Sequence, residues 1–465
     1  MNEFSEVITA VTSSTDACDS SIAGTFWRAT DPSVRSPGHL ELAKQASPSL
    51  TVSPSLYGVP GIVTIQVAGD GSVAAKSEST DPGIVVIHGE LEHDIPITLL
   101  EARSMKWAGG MTREKQKQRF EGIFAVVGAH LDNVNHHFEG LRVRLQTLTR
   151  AADTASAPVQ LGNGGQLFWE DFSGEPQLVL TNLPPVGMHI LERTYLQPLV
   201  TLLQLATARP VTVMEFAVQE HSQAPWWPVH SPSQHGDDLA LPSQPLLPLT
   251  DLSPAVIGAW LDRVETLGPL PAGVASVLTT SLPLETQVLI LSTISEGLHR
   301  RLFPDAQRFS PELAAQIREA AAEAVKEVDK SAAEAVKGFL GHMHEPGYGQ
   351  RLNQLALDAE ALVPGITGRS NKWKTLVYGA RNDFAHQINH GWLEDGDVDR
   401  YLTVALSLRW VLRALLLGQA GLHPDLLRRR FAESQEYGFF LRNVHEWRPD
   451  VYPDAHPNKL RESVT

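Results

Sequence analysis

Cysteine is nearly absent from this chain of 465 residues, which contains only Cys18. One thiol excludes an intrachain disulfide and any zinc centre that needs several cysteine ligands. Proteins without disulfides are typical of a reducing compartment. Residues 1–20, which we interpret as an N-terminal tail, also lack the basic and apolar segments of a signal peptide. We therefore expect a cytoplasmic protein.

Long apolar runs and excess positive charge are missing too. The two strongest apolar stretches, 178–191 and 410–422, are interrupted by Pro, Arg or Gln. Neither reaches the ~20 apolar residues that a membrane span needs, so we expect no membrane partner. The formal net charge of −15 excludes a protein that coats nucleic acid with a basic surface. A nucleic-acid partner would need a local basic site.

Standard cofactor and catalytic motifs are lacking as well. The chain has no G-x-x-x-x-G-K-[ST] loop, no G-x-G-x-x-G after a strand, no H-E-x-x-H and no G-x-S-x-G. The Gly-rich sequence LGNGGQ at 161–166 is followed by a strand-like segment rather than a helix. We interpret it as a turn, because phosphate cradles use a helix N-terminus. We predict neither a cofactor nor a metal.

The chain does contain many short β-branched runs bounded by Gly, Pro and Asp, which fill residues 21–221. LRVRL at 141–145 alternates apolar and basic residues, as a half-exposed strand does. Such closely spaced strands favour an antiparallel sandwich or barrel, with one helical stretch at 191–208. The predicted strands are 61–69, 83–91, 97–102, 122–131, 141–148, 176–183 and 211–220.

Residues 222–252 are rich in Pro and Ser, which indicates a linker or an extended arm because Pro interrupts helices and sheets. We expect the pair Trp226–Trp227 to anchor this segment by packing. From 253 to 465 the pattern is helical, and Ser253–Pro254 is a typical helix start. Six or seven helices with short connections predict an all-α bundle, so the expected fold class is α+β. The predicted helices are 253–268, 284–303, 310–341, 349–362, 371–391, 397–421 and 423–444.

The sequence GARNDFAHQINHG at 379–391 is unusually polar for this helical region. Asn382, His386 and His390 are spaced by four residues and form one stripe on a helix. Arg381 lies five residues before His386, which places the two about 140° apart around the helix axis. One helix alone would not direct both side chains at the same atom, but a second helix or subunit could complete the geometry.

An arginine and a histidine on one short segment suit RNA backbone cleavage. The ribose 2′-hydroxyl must lose a proton and the leaving 5′-oxygen must gain one, and an imidazole can do either near neutral pH. A guanidinium can hold the phosphate through two hydrogen bonds and stabilise its developing charge. Arg381 and His386 are therefore candidate catalytic residues, and Asn382 could orient the phosphate or the imidazole.

Two other interpretations of the same segment remain open. The stripe could be the solvated face of an ordinary helix, because Arg and His at this spacing also occur by chance. His386 and His390 are four residues apart and could share a metal ion. Gln387 stands where a zinc protease has its Glu, however, and no third ligand is evident.

The segment RNDFAH at 381–386 resembles the R-x4-6-H motif of the HEPN superfamily. Three N-terminal segments resemble the N-terminal domain of the ApeA family, in which that domain precedes an ApeA-like HEPN domain. The resemblance covers nearly the whole chain in the same order. The three segments are GTFWRATDPSVRSPGHLEL at 24–42, IHGELEHDIPITLLEA at 87–102 and FEGIFAVVGAHLDN at 120–133.

This resemblance implies a bacterial anti-phage defence protein that cleaves RNA and halts growth of the infected cell. HEPN nucleases of this kind work as homodimers with their two motifs facing a shared cleft. Arg381 and His386 match the ends of the motif, and Asn382 matches the polar residue that often follows the Arg. His390 and Asn389 lie outside it. The resemblance also implies that the N-terminal domain serves sensing or regulation, with a phage-derived component as the expected trigger.

A hypothesis of another class is that the helical bundle is a non-catalytic dimerisation or binding module beside a sensing β domain. Burial of Arg381 and His386 in salt bridges would favour it. Two basic clusters, LHRRLF at 298–303 and LLRRRF at 426–431, also allow a functional and a structural interpretation. They could follow RNA phosphates beside the site or be ordinary solvated helix faces.

Overall fold

A computed structural model describes residues 21–43, 46–57, 62–67, 73–78, 83–109, 116–145, 157–172, 175–232, 244–386 and 395–453. It is limited to the backbone at 62–67, 73–78, 106–107, 109, 249, 385–386 and 395–396. The predicted tail at 1–20 lies outside the described residues.

The chain forms two compact units. The first holds residues 1–200, 211–240 and 253–258, and the second holds 201–210, 241–252 and 259–465. Each unit thus collects stretches that are separated in sequence. The boundaries predicted after residues 20, 221 and 252 remain predictions.

Strands dominate the first unit, as predicted. Those within the described residues are β1 (Ser21–Arg28), β2 (Asp31–Glu41), β3 (Ser49–Val52), β4 (Ile62–Val67), β5 (Val73–Glu78), β6 (Ile84–Leu91), β7 (Pro96–Gly109), β8 (Gln116–Glu121), β9 (Phe124–Val127), β10 (Gly140–Leu145), β11 (Val159–Gln160), β12 (Gln166–Phe172), β13 (Glu175–Thr181), β14 (Val213–Gln219) and β15 (Trp227–His230). Apart from the hairpin β4–β5, they belong to one antiparallel sheet of 13 strands.

Six of these strands close into a barrel. Going round the ring, β1, β2, β3, β8, β7 and β6 are each paired with the next, and β6 returns to β1. Closure depends on the 14-residue β7, whose first half pairs with β6 and β9 while its second half pairs with β8. A closed ring leaves no free edge in these strands, so the prediction of a barrel-like lobe is confirmed.

The barrel encloses an apolar core because successive side chains along each strand point to opposite faces. In β2, for example, Ser36, Gly38 and Leu40 are buried while their neighbours are exposed. The core includes Phe26, Leu40, Leu50, Val52, Ile87, Leu91, Ile97, Leu99 and Phe120.

The sheet continues from β7 through β9, β15, β14, β10, β13, β12 and β11. In β10 the side chains of Leu141, Val143 and Leu145 are buried and those of Arg142 and Arg144 are half-buried, which confirms the predicted alternation.

The Pro-rich segment contributes strand β15, which its proline content did not predict. Pro228 lies opposite Ala217 of β14, while the next residue, Val229, lies opposite Val126 of β9. The first half of this short strand therefore pairs with β14 and the second half pairs with β9. The predicted anchoring by tryptophan is present, since the Trp227 ring meets the Phe138 ring edge-on at 6.4 Å.

The predicted helix at 191–208 is confirmed as α1 (Met188–Leu191), a π-helical turn at Glu192–Leu196 and α2 (Gln197–Thr207). The secondary-structure elements described from 254 onward are helices. They form α3 (Pro254–Leu267), α4 (Leu270–Thr279), α5 (Leu284–Leu302), α6 (Pro311–Lys326), α7 (Lys330–Phe339), α8 (Tyr348–Leu362), α9 (Ser370–His386), α10 (Asp395–Gln419), α11 (Pro424–Glu433) and α12 (Gln435–Trp447). The expected α+β class is therefore confirmed.

Two predicted helices are each divided in the structure. The helix expected at 310–341 is α6 and α7, because Asp329 accepts hydrogen bonds from the backbone N–H groups of Ser331 and Ala332 and so begins a new helix. The helix expected at 423–444 is α11 and α12, with Ser434 as the cap of the second.

Helix α10 is long and apolar enough from Asp397 to Gln419 to cross a membrane, contrary to the sequence-based expectation. However, 78% of its apolar window is buried inside the protein. It contacts α4, α5, α8, α9, α11 and α12, so it is the central core helix of the second unit.

Candidate active site

Helix α9 carries the three predicted site residues, Arg381, Asn382 and His386, in its last two turns. Its buried face, formed by Trp373, Val377 and Ala380, docks it in the second unit. The His386 side chain, together with Gln387, Asn389 and His390, lies outside the described residues, so the roles of these residues remain predictions.

The Arg381 side chain is 35% exposed and makes two contacts with neighbouring helices. Its Nη2 donates a hydrogen bond to Oε2 of Glu296 in α5, across 2.9 Å. Its guanidinium carbon also lies 4.4 Å from the ring centroid of Tyr348 in α8, a distance typical of a cation–π contact. Arg381 is thus ion-paired but still reaches solvent.

Tyr348 is a firmly held platform for this arginine. Only 7% of Tyr348 is exposed. Its hydroxyl lies 3.0 Å from Oγ of Ser295 and donates to the Ser292 carbonyl across 3.3 Å. Burial raises the pKa of Tyr348, so the ring stays a neutral phenol at physiological pH.

Glu296 lies between two guanidinium groups. While Oε2 accepts from Arg381, Oε1 accepts from Arg300 across 3.3 Å. Arg300 also donates to Glu345 across 2.5 Å, and this hydrogen bond holds the pKa of Glu345 below its usual value. Charges of alternating sign therefore extend from Arg381 along α5.

The same series of charges ends in a buried arginine and a buried histidine. Arg351 of α8 donates to Glu345 across 3.1 Å and to Nδ1 of His299 across 3.2 Å. Burial, together with the nearby positive charges of Arg351 and Arg300, lowers the pKa of His299 to about 4. The imidazole is consequently neutral and accepts the hydrogen bond.

The opposite side of α9 is fastened to α10. Asp383 forms a 2.7 Å ion pair with Arg400 and accepts a hydrogen bond from the Tyr401 hydroxyl across 3.3 Å. The rings of Phe384 and Tyr401 have centroids 4.4 Å apart. Asn382 lies between these two anchored sides of the helix and is half-buried.

The two basic clusters differ in their relation to Arg381. Arg300, in the first cluster, is linked to Arg381 through Glu296. In the second cluster, Arg430 forms a two-bond ion pair with Asp251 and also contacts Glu433. The second cluster thus serves the packing of α11, which favours its structural interpretation.

Sequence reasoning missed Glu296 and Tyr348, the two residues that contact Arg381. A signal for Glu296 was available, because polar residues recur at 292, 295, 296 and 299, the spacing of one helix face. No similar signal pointed to Tyr348. Across the residues with described side chains, no group of three or more His, Cys, Asp or Glu is arranged to hold a metal.

Residues 289–426 match the family model described as Apea-like HEPN. The matched segment runs from α5 into α11 and includes Arg381, Asn382 and His386, together with Glu296 and Tyr348. HEPN domains are generally ribonucleases, so the matched segment identifies a nuclease-like domain in the helical part of the chain. The chain contains an Apea-like HEPN domain, as the resemblance predicted. The ApeA-like N-terminal domain remains a prediction.

No curated protein and no solved structure matches the chain.

Proposed function

We propose that the protein is a metal-independent endoribonuclease that acts in anti-phage defence as a homodimer. The single observation that carries this proposal is the position of Arg381 in the HEPN segment. Its guanidinium is fixed by two contacts yet one-third exposed, five residues before His386 on the same helix.

In the proposed reaction the ribose 2′-oxygen attacks phosphorus as the bond to the 5′-oxygen breaks. One proton leaves the 2′-hydroxyl and one reaches the departing 5′-oxygen, and His386 transfers a proton at one of these positions. Arg381 donates hydrogen bonds to the phosphate oxygens, whose charge increases in the transition state. Asn382 orients the phosphate or the imidazole.

A second copy of the chain would complete the site. Arg381 and His386 are about 140° apart around α9, so residues from two opposed α9 helices meet more readily than residues of one. We also propose that RNA is the substrate and that a phage-derived component releases the activity in the cytoplasm. The N-terminal β region would sense that component.

Purified wild-type protein and variants Arg381→Ala, Asn382→Ala and His386→Ala would test this function with cellular RNA in EDTA. We expect RNA cleavage by the wild type, and loss of at least about 100-fold with Arg381→Ala or His386→Ala, the range that follows removal of a charge-stabilising or proton-transferring group. Arg369→Ala, at the exposed start of α9, and His221→Ala, in an exposed turn, are matched controls that should cleave normally.

The Arg381–Glu296 ion pair favours a second candidate, a non-catalytic HEPN-like dimerisation or binding module. In that case Arg381 serves packing between α9 and α5. Wild-type protein that leaves RNA intact, or cleavage that persists in both Arg381→Ala and His386→Ala, would support this second function.

A further inference from the structure

We propose that Glu296 is a positioning residue of this site, which with the Tyr348 ring fixes the Arg381 guanidinium in the orientation that receives the scissile phosphate. This inference rests on the proposed ribonuclease function. It assigns a task to two side chains outside the R-x4-H segment.

The two contacts restrain the guanidinium in different directions. The guanidinium carbon lies over the Tyr348 ring, 4.4 Å from its centroid, and the Glu296 carboxylate accepts a hydrogen bond from Nη2 across 2.9 Å. Arg has a long side chain with about 2 kcal/mol of rotamer entropy, which a bound phosphate would otherwise have to restrict. Fixing the side chain beforehand favours the reactive geometry.

Both supports are themselves held. Tyr348 is buried and bonded to Ser295 and Ser292, and Glu296 is on the same helix as these serines. The second carboxylate oxygen of Glu296 is occupied by Arg300 at 3.3 Å. The support for Arg381 therefore comes from two helices, α5 and α8, that are joined by these hydrogen bonds.

The ion pair leaves room for a substrate anion. A guanidinium has five N–H donors, and the Glu296 contact uses one on Nη2. A phosphodiester that takes two N–H groups can bind while this contact is kept. The carboxylate thus holds the arginine without having to be displaced by RNA.

Steady-state cleavage of a short RNA would measure kcat and KM separately for full-length Glu296→Gln, Glu296→Asp and Tyr348→Phe. Glu296→Gln keeps the size but loses the charge, and we expect kcat to fall ~10- to 100-fold, because a displacement of about 1 Å can cost that much. KM should change far less. Glu296→Asp should recover part of the loss, and Tyr348→Phe, which keeps the ring but loses the hydrogen bonds to Ser295 and Ser292, should lower kcat less than Glu296→Gln does.

Glu345→Gln is the matched control, because Glu345 belongs to the same series of charges but contacts Arg300 and Arg351 instead of Arg381. We expect its kcat to remain within about threefold of wild type. A second measurement is rescue of Arg381→Ala by added guanidinium ion. Rescue should occur while Glu296 is present and disappear in Arg381→Ala with Glu296→Ala.

The possible outcomes are distinct. Wild-type cleavage that depends on Arg381 but is unchanged in Glu296→Gln overturns the positioning role and leaves the ribonuclease function standing. A higher kcat in Glu296→Gln also overturns it and identifies the carboxylate as an inhibitory contact. Equal losses in Glu296→Gln and Glu345→Gln show that only the stability of the charge series matters. Inactive wild-type protein overturns both proposals.

Discussion

Arg351 donates a hydrogen bond from Nη1 to Nδ1 of His299 across 3.2 Å, and both residues are at least 97% buried. The bond requires an unprotonated Nδ1, which agrees with the lowering of the His299 pKa to about 4 by burial and by the charges of Arg351 and Arg300. A neutral histidine is therefore built into the helical unit.

This histidine should make the protein less stable in mild acid. Its pKa when folded is below the value of about 6.5 expected when unfolded, so the unfolded chain binds the proton more readily. The stabilisation is present above pH 6.5 and is lost as the pH falls toward 4. One pKa unit corresponds to about 1.4 kcal/mol, so we expect a loss of about 2 kcal/mol between pH 7 and pH 5.

Unfolding of the wild type and of His299→Gln at pH 7 and pH 5 would measure this loss. Gln can accept a hydrogen bond but does not titrate, so the variant should lose less stability over the same interval. Identical pH dependence in the two proteins would show that His299 is not the responsible group.

Removal of the Arg413 side chain should strongly destabilise the protein. Arg413 is 1% exposed and donates to the carbonyl groups of Leu205 and Ala206, across 2.5 and 2.9 Å, at the end of α2. Burial lowers its pKa to about 10, so it remains charged at pH 7. Arg413→Ala leaves a cavity and two carbonyl groups without these donors, and we expect a loss of roughly 3–5 kcal/mol.

Thermal unfolding would measure the effect of Arg413→Ala beside Arg429→Ala, an exposed arginine of α11. The control should change stability by less than about 0.5 kcal/mol. Similar melting temperatures for the two variants would contradict a structural role for the Arg413 hydrogen bonds.

Substitution of Gly89 should disturb the barrel core. A Cβ at Gly89 would lie 2.4 Å from Cδ1 of Phe26, a buried ring of the barrel core. Gly89→Ala must displace that ring, and we expect a loss of about 1–3 kcal/mol.

Gly338→Ala in α7 is the matched control, since its Cβ would meet nothing within 4 Å. It should leave stability unchanged or raise it by up to about 1 kcal/mol, because Ala favours a helix more than Gly does. A melting temperature for Gly89→Ala that equals that of Gly338→Ala would contradict the close approach of Phe26 and Gly89.

The ion pair between Asp383 and Arg400 should contribute little to stability. Their side chains are 26% and 29% exposed, so water screens the 2.7 Å contact. A double-mutant cycle with Asp383→Asn and Arg400→Gln should give a coupling energy of about 0.5–1 kcal/mol. A value above roughly 3 kcal/mol would show that this pair behaves as a buried one.

Most of the predicted secondary structure came from local patterns. Strands such as β10 and β14 and helix starts such as Ser253–Pro254 depend on alternation and capping, which are properties of neighbouring residues. β15 and the separation of α6 from α7 were missed. The first pairs with β9, which lies far earlier in the chain, as well as with the preceding strand β14, and the second depends on one competing cap at Asp329.

In the candidate site, too, some residues could be predicted from local sequence and others depend on the fold. The segment from Arg381 to His386 was visible because its polar residues are close together in the chain. Glu296 and Tyr348 come to Arg381 from positions 85 and 33 residues away, so no local pattern could pair them. Their contact with Arg381 follows from the packing of α5, α8 and α9.

By itself the sequence determined the α+β class, the helix that carries Arg381, Asn382 and His386, and the resemblance to an ApeA-like HEPN domain. Only the tertiary structure decided that six strands close into a barrel and that Arg381 is held between a carboxylate and an aromatic ring. Periodicity is encoded locally, whereas barrel closure and ion pairing depend on which distant surfaces become neighbours when apolar side chains are buried.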